Sequence, residues 1–134
     1  MALKCTVATP QATVLEREAD FVTVTLTDGE IGIGLRHSPL AARLGYGEMR
    51  LRQGEELLRY YLDGGFVQVV GDQVSVLTNR AIPAESISEF AARQQLREAQ
   101  RQTGSSPGLR ELRARRVAQA RGRLLVNRHA KEKK

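Results

Sequence analysis

The sequence predicts an α+β chain: an N-terminal antiparallel β-sandwich over residues 1–84, then a C-terminal two-helix hairpin over residues 85–134. Three observations predict it. From Leu3 to Leu77 apolar residues recur with a period of two, the mark of strands with one face in a core. Turn residues punctuate these runs at the spacing of roughly 8–12 residues typical of sandwiches and barrels. After Ile82-Pro83 the composition turns to Ala, Gln, Glu, Arg and Leu, all good helix formers, interrupted once at Thr103-Gly104-Ser105-Ser106-Pro107-Gly108.

In chain order, Leu3, Cys5 and Val7 alternate as a first strand, which makes Cys5 a small core residue. A single cysteine forms no internal disulfide and suits a reducing compartment. Val22, Val24 and Leu26 alternate with Phe21, Thr23 and Thr25. Asp28-Gly29 then turns the chain into Gly29–Leu40, whose three glycines and one proline predict a shaped loop. Residues 40–44 read either as a helical turn or as an extended run. Met49 and Leu51, Val67 and Val69, and Val74 and Val76 mark further strands. Gly45-Tyr46-Gly47, Gln53-Gly54, Asp63-Gly64-Gly65 and Gly71-Asp72 read as turns between them.

Past Pro83, Ser86-Ile87-Ser88-Glu89 has the form of a capping box with Ser86 as the cap. The first helix extends to Arg101, and Gly104 stops it. Ser106 caps a second helix with Pro107 in its first turn, running to about Val126 before a frayed basic end. Neither helix has a clean apolar stripe. Leu109, Leu112, Ala120 and Leu124 share an arc with Arg113 and Arg116; Ile87, Phe90 and Ala91 form one patch, and Leu96 and Ala99 another. Packing of an apolar face supplies most helical stability, so this hairpin is expected to dock loosely and to detach.

The aromatic fraction is 4% with no Trp, so the core is aliphatic. No apolar run approaches the ~20 residues that span a bilayer, and Met1–Cys5 is too short and mixed for a signal peptide. No direct membrane insertion is expected. Residues 1–104 hold 11 basic and 13 acidic side chains, a net of −2; residues 105–134 hold 10 and 2, a net of +8. A near-neutral body with a strongly basic tail points to an acidic partner for the tail: nucleic acid, anionic lipid or an acidic protein surface. One reading is an RNA- or ribosome-binding β module. Against it, the tail has no aromatic residue for stacking and the body no RNA-binding aromatic motif.

Catalytic and metal chemistry find little support. Cys5, His37 and His129 are scattered, with no metal-ligand spacing. Gly32 and Gly34 are followed by His37 where a dinucleotide fingerprint needs its third glycine, and no phosphate-binding P-loop occurs. No catalytic residue, metal or cofactor is expected, and His37 reads as a loop histidine bonded to backbone.

Two blocks carry a family resemblance. Gly29-Glu30-Ile31-Gly32-Ile33, followed by His37 and Pro39-Leu40, is similar to the signature of the epsilon subunit of rotary ATP synthases. Tyr61-Leu62-Asp63-Gly64-Gly65-Phe66-Val67-Gln68-Val69, then Val74–Leu77, matches a second block. The resemblance implies a flattened β-sandwich in a non-catalytic central-stalk subunit, which couples ion-driven rotation of the c ring to ATP synthesis. It implies the gamma subunit and the c ring as partners, with no nucleic acid. It implies that the subunit lies peripherally on the cytoplasmic face of the inner (plasma) membrane, as part of that complex. It implies that a loop of Gly29, Glu30, Ile31, Gly32 and Ile33 faces the c ring, closed by His37 and Pro39; Leu35-Arg36 stands where the family usually has Pro-Gly. It implies that Gly64, Gly65 and Phe66 form a tight strand connection with a packed aromatic. The family's hairpin has a folded and an extended posture. Extended, its basic face meets an acidic segment of the beta subunit and inhibits ATP hydrolysis, a role that falls here to Arg110, Arg113, Arg115, Arg116, Arg121 and Arg123. The family's ATP-binding motif corresponds to Ile87–Ala92, where Ser88 and Ala91 replace its Asp and Arg, so no ATP binding is expected.

Overall fold

A computed structural model describes residues 2–104 and 106–132. Ser105 in the inter-helix loop, and Lys133 and Lys134 at the basic end, lie outside the described residues. The strands are β1 (Leu3–Ala8), β2 (Thr13–Ala19), β3 (Phe21–Leu26), β4 (Gly29–Ile33), β5 (Leu40–Gln53), β6 (Glu56–Val70), β7 (Gln73–Leu77) and β8 (Ala81–Pro83). A 3₁₀ turn at Ala84–Ser86 leads to α1 (Glu89–Arg101) and α2 (Pro107–Glu132). The sheet order is β2-β1-β7-β6-β5-β3-β4, with β8 also on β6. Every pairing is antiparallel except β1 with β7.

This ribbon folds into two layers around one core. Leu3, Cys5 and Val7 of β1, Val22 and Val24 of β3, and Val74 and Val76 of β7 share a single cluster, as their alternation predicts. Burial pushes the Cys5 thiol up to about 12, so it stays protonated and inert. Arg17 of β2 ties the layers at the β5–β6 turn, donating to Gln53 Oε1 at 2.6 Å and Glu56 Oε1 at 2.8 Å.

The long hairpin of β5 and β6 belongs to both layers. Its register is constant from Leu40↔Val69 to Gln53↔Glu56, yet its core-facing side changes midway. On β5, Leu40, Ala42 and Leu44 face the core and then Met49 and Leu51 do. On β6, Leu58, Tyr60 and Leu62 do and then Val67 and Val69. A strand's side chains alternate, so a change of parity means the ribbon has turned its other face inward. The change falls at Gly45–Gly47 and Gly64–Gly65, so these glycines are not turns between strands; they let two continuous strands cross from one layer to the other. Residues 40–44 are extended.

The helical region departs from expectation in three places. The cap of α1 is Ser88, whose hydroxyl accepts from Ala91 N at 3.1 Å, rather than Ser86, which ends the 3₁₀ turn. Ser106 caps α2 as expected, accepting from Leu109 N at 3.3 Å. But α2 continues through Glu132, because Val126, Asn127 and Ala130 are packed rather than frayed. And Phe90 does not join an apolar patch: it is 72% exposed. The inner face of α1 is instead Ala92, Leu96 and Ala99, against α2.

Candidate functional site

Two regions carry the predicted site residues: the edge strand β4 with its following loop, and the dock of α2 on the sandwich. Gly29–Ile33 is a strand, not a loop. It pairs with β3, Val22 opposite Ile33 and Val24 opposite Ile31, because Ile31 and Ile33 alternate inward. The loop proper is residues 34–39. Within it Arg36 adopts φ +62°, a left-handed conformation that favours glycine, and its N–H donates to Asp72 Oδ1 at 3.0 Å. Arg36 thus holds a conformation that glycine adopts more readily than any other residue. His37 Nδ1 donates to the Ser38 carbonyl at 2.7 Å. Pro39 is exposed, and so is Glu30, which accepts from Arg50 at 3.1 and 3.3 Å.

Phe66 is not a packed aromatic. It is 55% exposed, because inward Val67 and Val69 force it outward beside Leu77, its cross-strand partner, itself 60% exposed. Arg43 lies over the Phe66 ring, 5.8 Å from its centroid.

The dock lies on the outer face of the turn-end half of β5 and β6. There the parity change points Tyr46, Glu48, Tyr61 and Asp63 toward α2. Ala120 and Val126 are fully buried, and Tyr61, Ala84 and Val126 form a small apolar cluster with Tyr46, Ile82, Ile87 and Ala130 around it. Most of the remaining contacts are polar. Tyr61 donates to Asp63 Oδ1 at 3.0 Å, and Gln119 donates to the same oxygen at 2.9 Å. Asn127 donates to the Ile87 carbonyl at 3.1 Å. Lys131 bridges to Glu89 at 2.6 Å.

At the centre is Glu48, 2% exposed. Its Oε1 accepts from Arg50 at 2.6 Å; its Oε2 accepts from Arg59 at 2.9 Å and from His129 Nδ1 at 3.1 Å. Burial by itself would raise the Glu48 carboxyl, but the bonds from Arg50, Arg59 and His129 outweigh it and hold the carboxyl below its ordinary value. A carboxylate with a depressed folded value adds stability above its unfolded value near pH 4, and that stability is lost as pH falls through the folded value. Urea midpoints of the full chain are expected to hold between neutrality and about pH 5 and to drop below it, and Glu48→Gln should flatten that drop. Equal slopes in both proteins would remove Glu48 from the account.

Of the six basic-face arginines, Arg110, Arg113, Arg115, Arg116 and Arg121 are exposed. Arg123 turns inward: it lies over the Tyr61 ring at 5.2 Å and donates to Gln95 Oε1 at 2.9 Å. Sequence reasoning missed Glu48, Asp63, Gln119 and His129. Among the described residues, no three His, Cys, Asp or Glu side chains are grouped to hold a metal ion, and no helix is long and apolar enough to cross a membrane.

Residues 2–84 match the family described as ATP synthase, Delta/Epsilon chain, beta-sandwich domain. The chain is 42% identical over 128 residues to the ATP synthase epsilon chain of Rhodopirellula baltica, covering 96% of this chain and all of that one. It is 33% identical over 126 residues to the epsilon chain of a Synechococcus species, covering 94% and 92%. The fold is similar to a chain in the cryo-EM structure of the Euglena gracilis mitochondrial ATP synthase, with a TM-score of 0.80 and 20% identity over 98% of this chain and 81% of that one. It is also similar to a chain of the Tetrahymena thermophila central stalk and c ring, with a TM-score of 0.75 and 13% identity over 95% and 97%.

Proposed function

The chain belongs to the ATP synthase epsilon-chain family, an accessory subunit and not itself catalytic, and from that premise we propose that it couples c-ring rotation to the catalytic head and brakes ATP hydrolysis with its hairpin. The observation that carries the brake is the character of the dock. An interface of small residues and hydrogen-bonded polar groups opens without exposing a large apolar surface, as a reversible posture requires. Five arginines already face solvent in the folded posture. Released from the sandwich, α2 adds Arg123 to them and presents a guanidinium face suited to an acidic segment of the beta subunit.

The body, residues 1–84, meets the rotor. Glu30 stands exposed on an edge strand, beside the loop of His37 and Pro39, which supports a contact with the polar loops of the c ring. The uncovered pair Phe66 and Leu77 supports docking of the sandwich on the gamma subunit, since it is the kind of apolar surface that partners cover. At the position of the family's ATP motif, the Ser88 hydroxyl is committed to capping α1 and Ala91 offers no charge. No ATP binding is assigned there. The subunit is peripheral, on the cytoplasmic face of the inner (plasma) membrane, without inserting into it.

One experiment tests both halves. The tagged full chain, recovered from gently solubilised membranes, is expected to bring alpha, beta, gamma and c subunits. A chain lacking residues 105–134 should bring the same subunits with raised ATPase activity. Loss of the partners would sink the coupling role; unchanged activity would sink the brake.

A further inference from the structure

The Glu48 site has a feature that folding of the sandwich alone does not explain. Arg50 and Arg59 are cross-strand neighbours, directly opposite in the β5–β6 ladder, an arrangement of like charges that destabilises a sheet. Glu48 sits on the same face and pairs with both. Arg50 in turn is shared with Glu30 of β4. These groups satisfy the sheet's own charges, and yet the carboxylate holds a third donor, His129, which comes from α2.

We propose that Glu48 is the clasp that holds the hairpin folded on the sandwich, with His129 as its counterpart on α2. The groups facing Glu48 are Arg50 on its own strand, Arg59 on β6 and His129 on α2, with Glu30 on β4 reached through Arg50. When the hairpin leaves, Glu48 keeps its two arginines and regains water, so release strands no buried charge. The clasp closes over a second acid. Asp63 holds Gln119, ten residues before His129 on the same helix, so α2 is gripped at two points about 15 Å apart at 1.5 Å per residue. Between them Gly122 lies against the Tyr46 carbonyl and the Tyr61 ring.

The clasp's consequence in the assembled enzyme rests on the brake reading above. The clasp itself is tested without it, by hydrogen exchange on the isolated full chain. His129→Ala, a change on a half-buried helix position outside the sandwich, is expected to lower the protection of amides 119–131 about tenfold, the scale of a lost hydrogen bond to a charged group. Amides of β1, β3 and β7 should keep theirs. Lys131→Ala, which removes an exposed pair with Glu89 in the same turn of helix, should leave the α2 amides within about twofold of the parent. Where Glu48→Gln leaves the strands protected, combining it with His129→Ala should add nothing to the larger single effect. Unchanged α2 protection in His129→Ala, or a loss spread equally over the strands, would overturn the clasp. So would a Lys131→Ala effect as large as that of His129→Ala.

Discussion

Gly122→Ala is expected to release the hairpin while strengthening the helix that carries it. Glycine in a helix interior costs about 0.8–1.0 kcal/mol relative to alanine, so by propensity alone the substitution favours α2. In the folded posture, however, a Cβ at 122 would stand 2.7 Å from the Tyr46 carbonyl oxygen and 2.9 Å from Tyr61 Cε1. Neither gives way. The carbonyl belongs to the β5 backbone, and Tyr61 is fully buried with its hydroxyl bonded to Asp63. The helix has to lift, and the bonds from Gln119 to Asp63 and from His129 to Glu48 flank the point of contact. Overpacking of this kind costs roughly 1–3 kcal/mol, enough to lower the ratio of docked to detached hairpin by about fivefold to 150-fold. The two effects have opposite signs and separate cleanly. Helicity at 222 nm should hold or rise while the radius of gyration in solution scattering increases. A variant with parent-like scattering would mean that the dock tolerates the methyl group and that Gly122 does not set its closest approach.

That glycine was also the one signal of the dock present in the sequence. A glycine well inside a helical stretch is a cost without a local benefit, and a close backbone approach is the usual reason for one. The rest of the dock was illegible for a physical reason. Glu48 sits where polar residues alternate with apolar ones, Arg59 and Asp63 are single polar residues in an apolar run, and a polar residue facing water is indistinguishable in sequence from one facing a polar helix. The core was legible where the period of two is unbroken, as in Leu3, Cys5 and Val7 or Val74 and Val76. It failed at Gly45–Gly47 and Gly64–Gly65, where turn composition marks a change of facing side inside a continuous ladder. The missing apolar stripe on α2 predicts a loose dock. It could not show that Ala120, Gly122 and Val126 allow a close fit that polar contacts then fasten. The Gly29–Leu40 motif was legible as a motif, but its first five residues alternate as a strand, and only residues 34–39 form the loop. Serine caps are ambiguous when two serines lie two residues apart; the extended Ile87 decides for Ser88.

Gly65→Ala is expected to be the most damaging single substitution in the sandwich. Gly65 has φ +112°, a conformation that costs a side-chain-bearing residue roughly 1–3 kcal/mol. A Cβ there would also overlap the Leu77 carbonyl oxygen and stand 2.8 Å from Thr78 Cα. Both belong to backbone, at the joint where β6 meets the end of β7. The surrounding bonds show how much depends on that joint. Thr78 N donates to the Ala8 carbonyl of β1 at 3.0 Å, and Asp63 N donates to the Arg80 carbonyl at 3.0 Å. Moving residues 77–78 aside therefore strains β1, β6 and the approach to β8 together. Overpacking adds roughly another 1–3 kcal/mol, a large share of the ~5–15 kcal/mol that holds a domain folded. Gly29→Ala separates conformation from contact: its φ of +135° also lies outside the left-handed well open to other residues, but nothing lies within 4 Å of its Cβ position. In urea, Gly29→Ala should lower the midpoint modestly, and Gly65→Ala should lower it several times further or leave no folded baseline. Equal shifts would mean that backbone conformation alone makes glycine necessary at 65. A larger shift at 65 would place the need in the close approach of β6 to β7, the contact that lets the β5–β6 ribbon change layers and so turn Glu48, Tyr61 and Asp63 toward the hairpin.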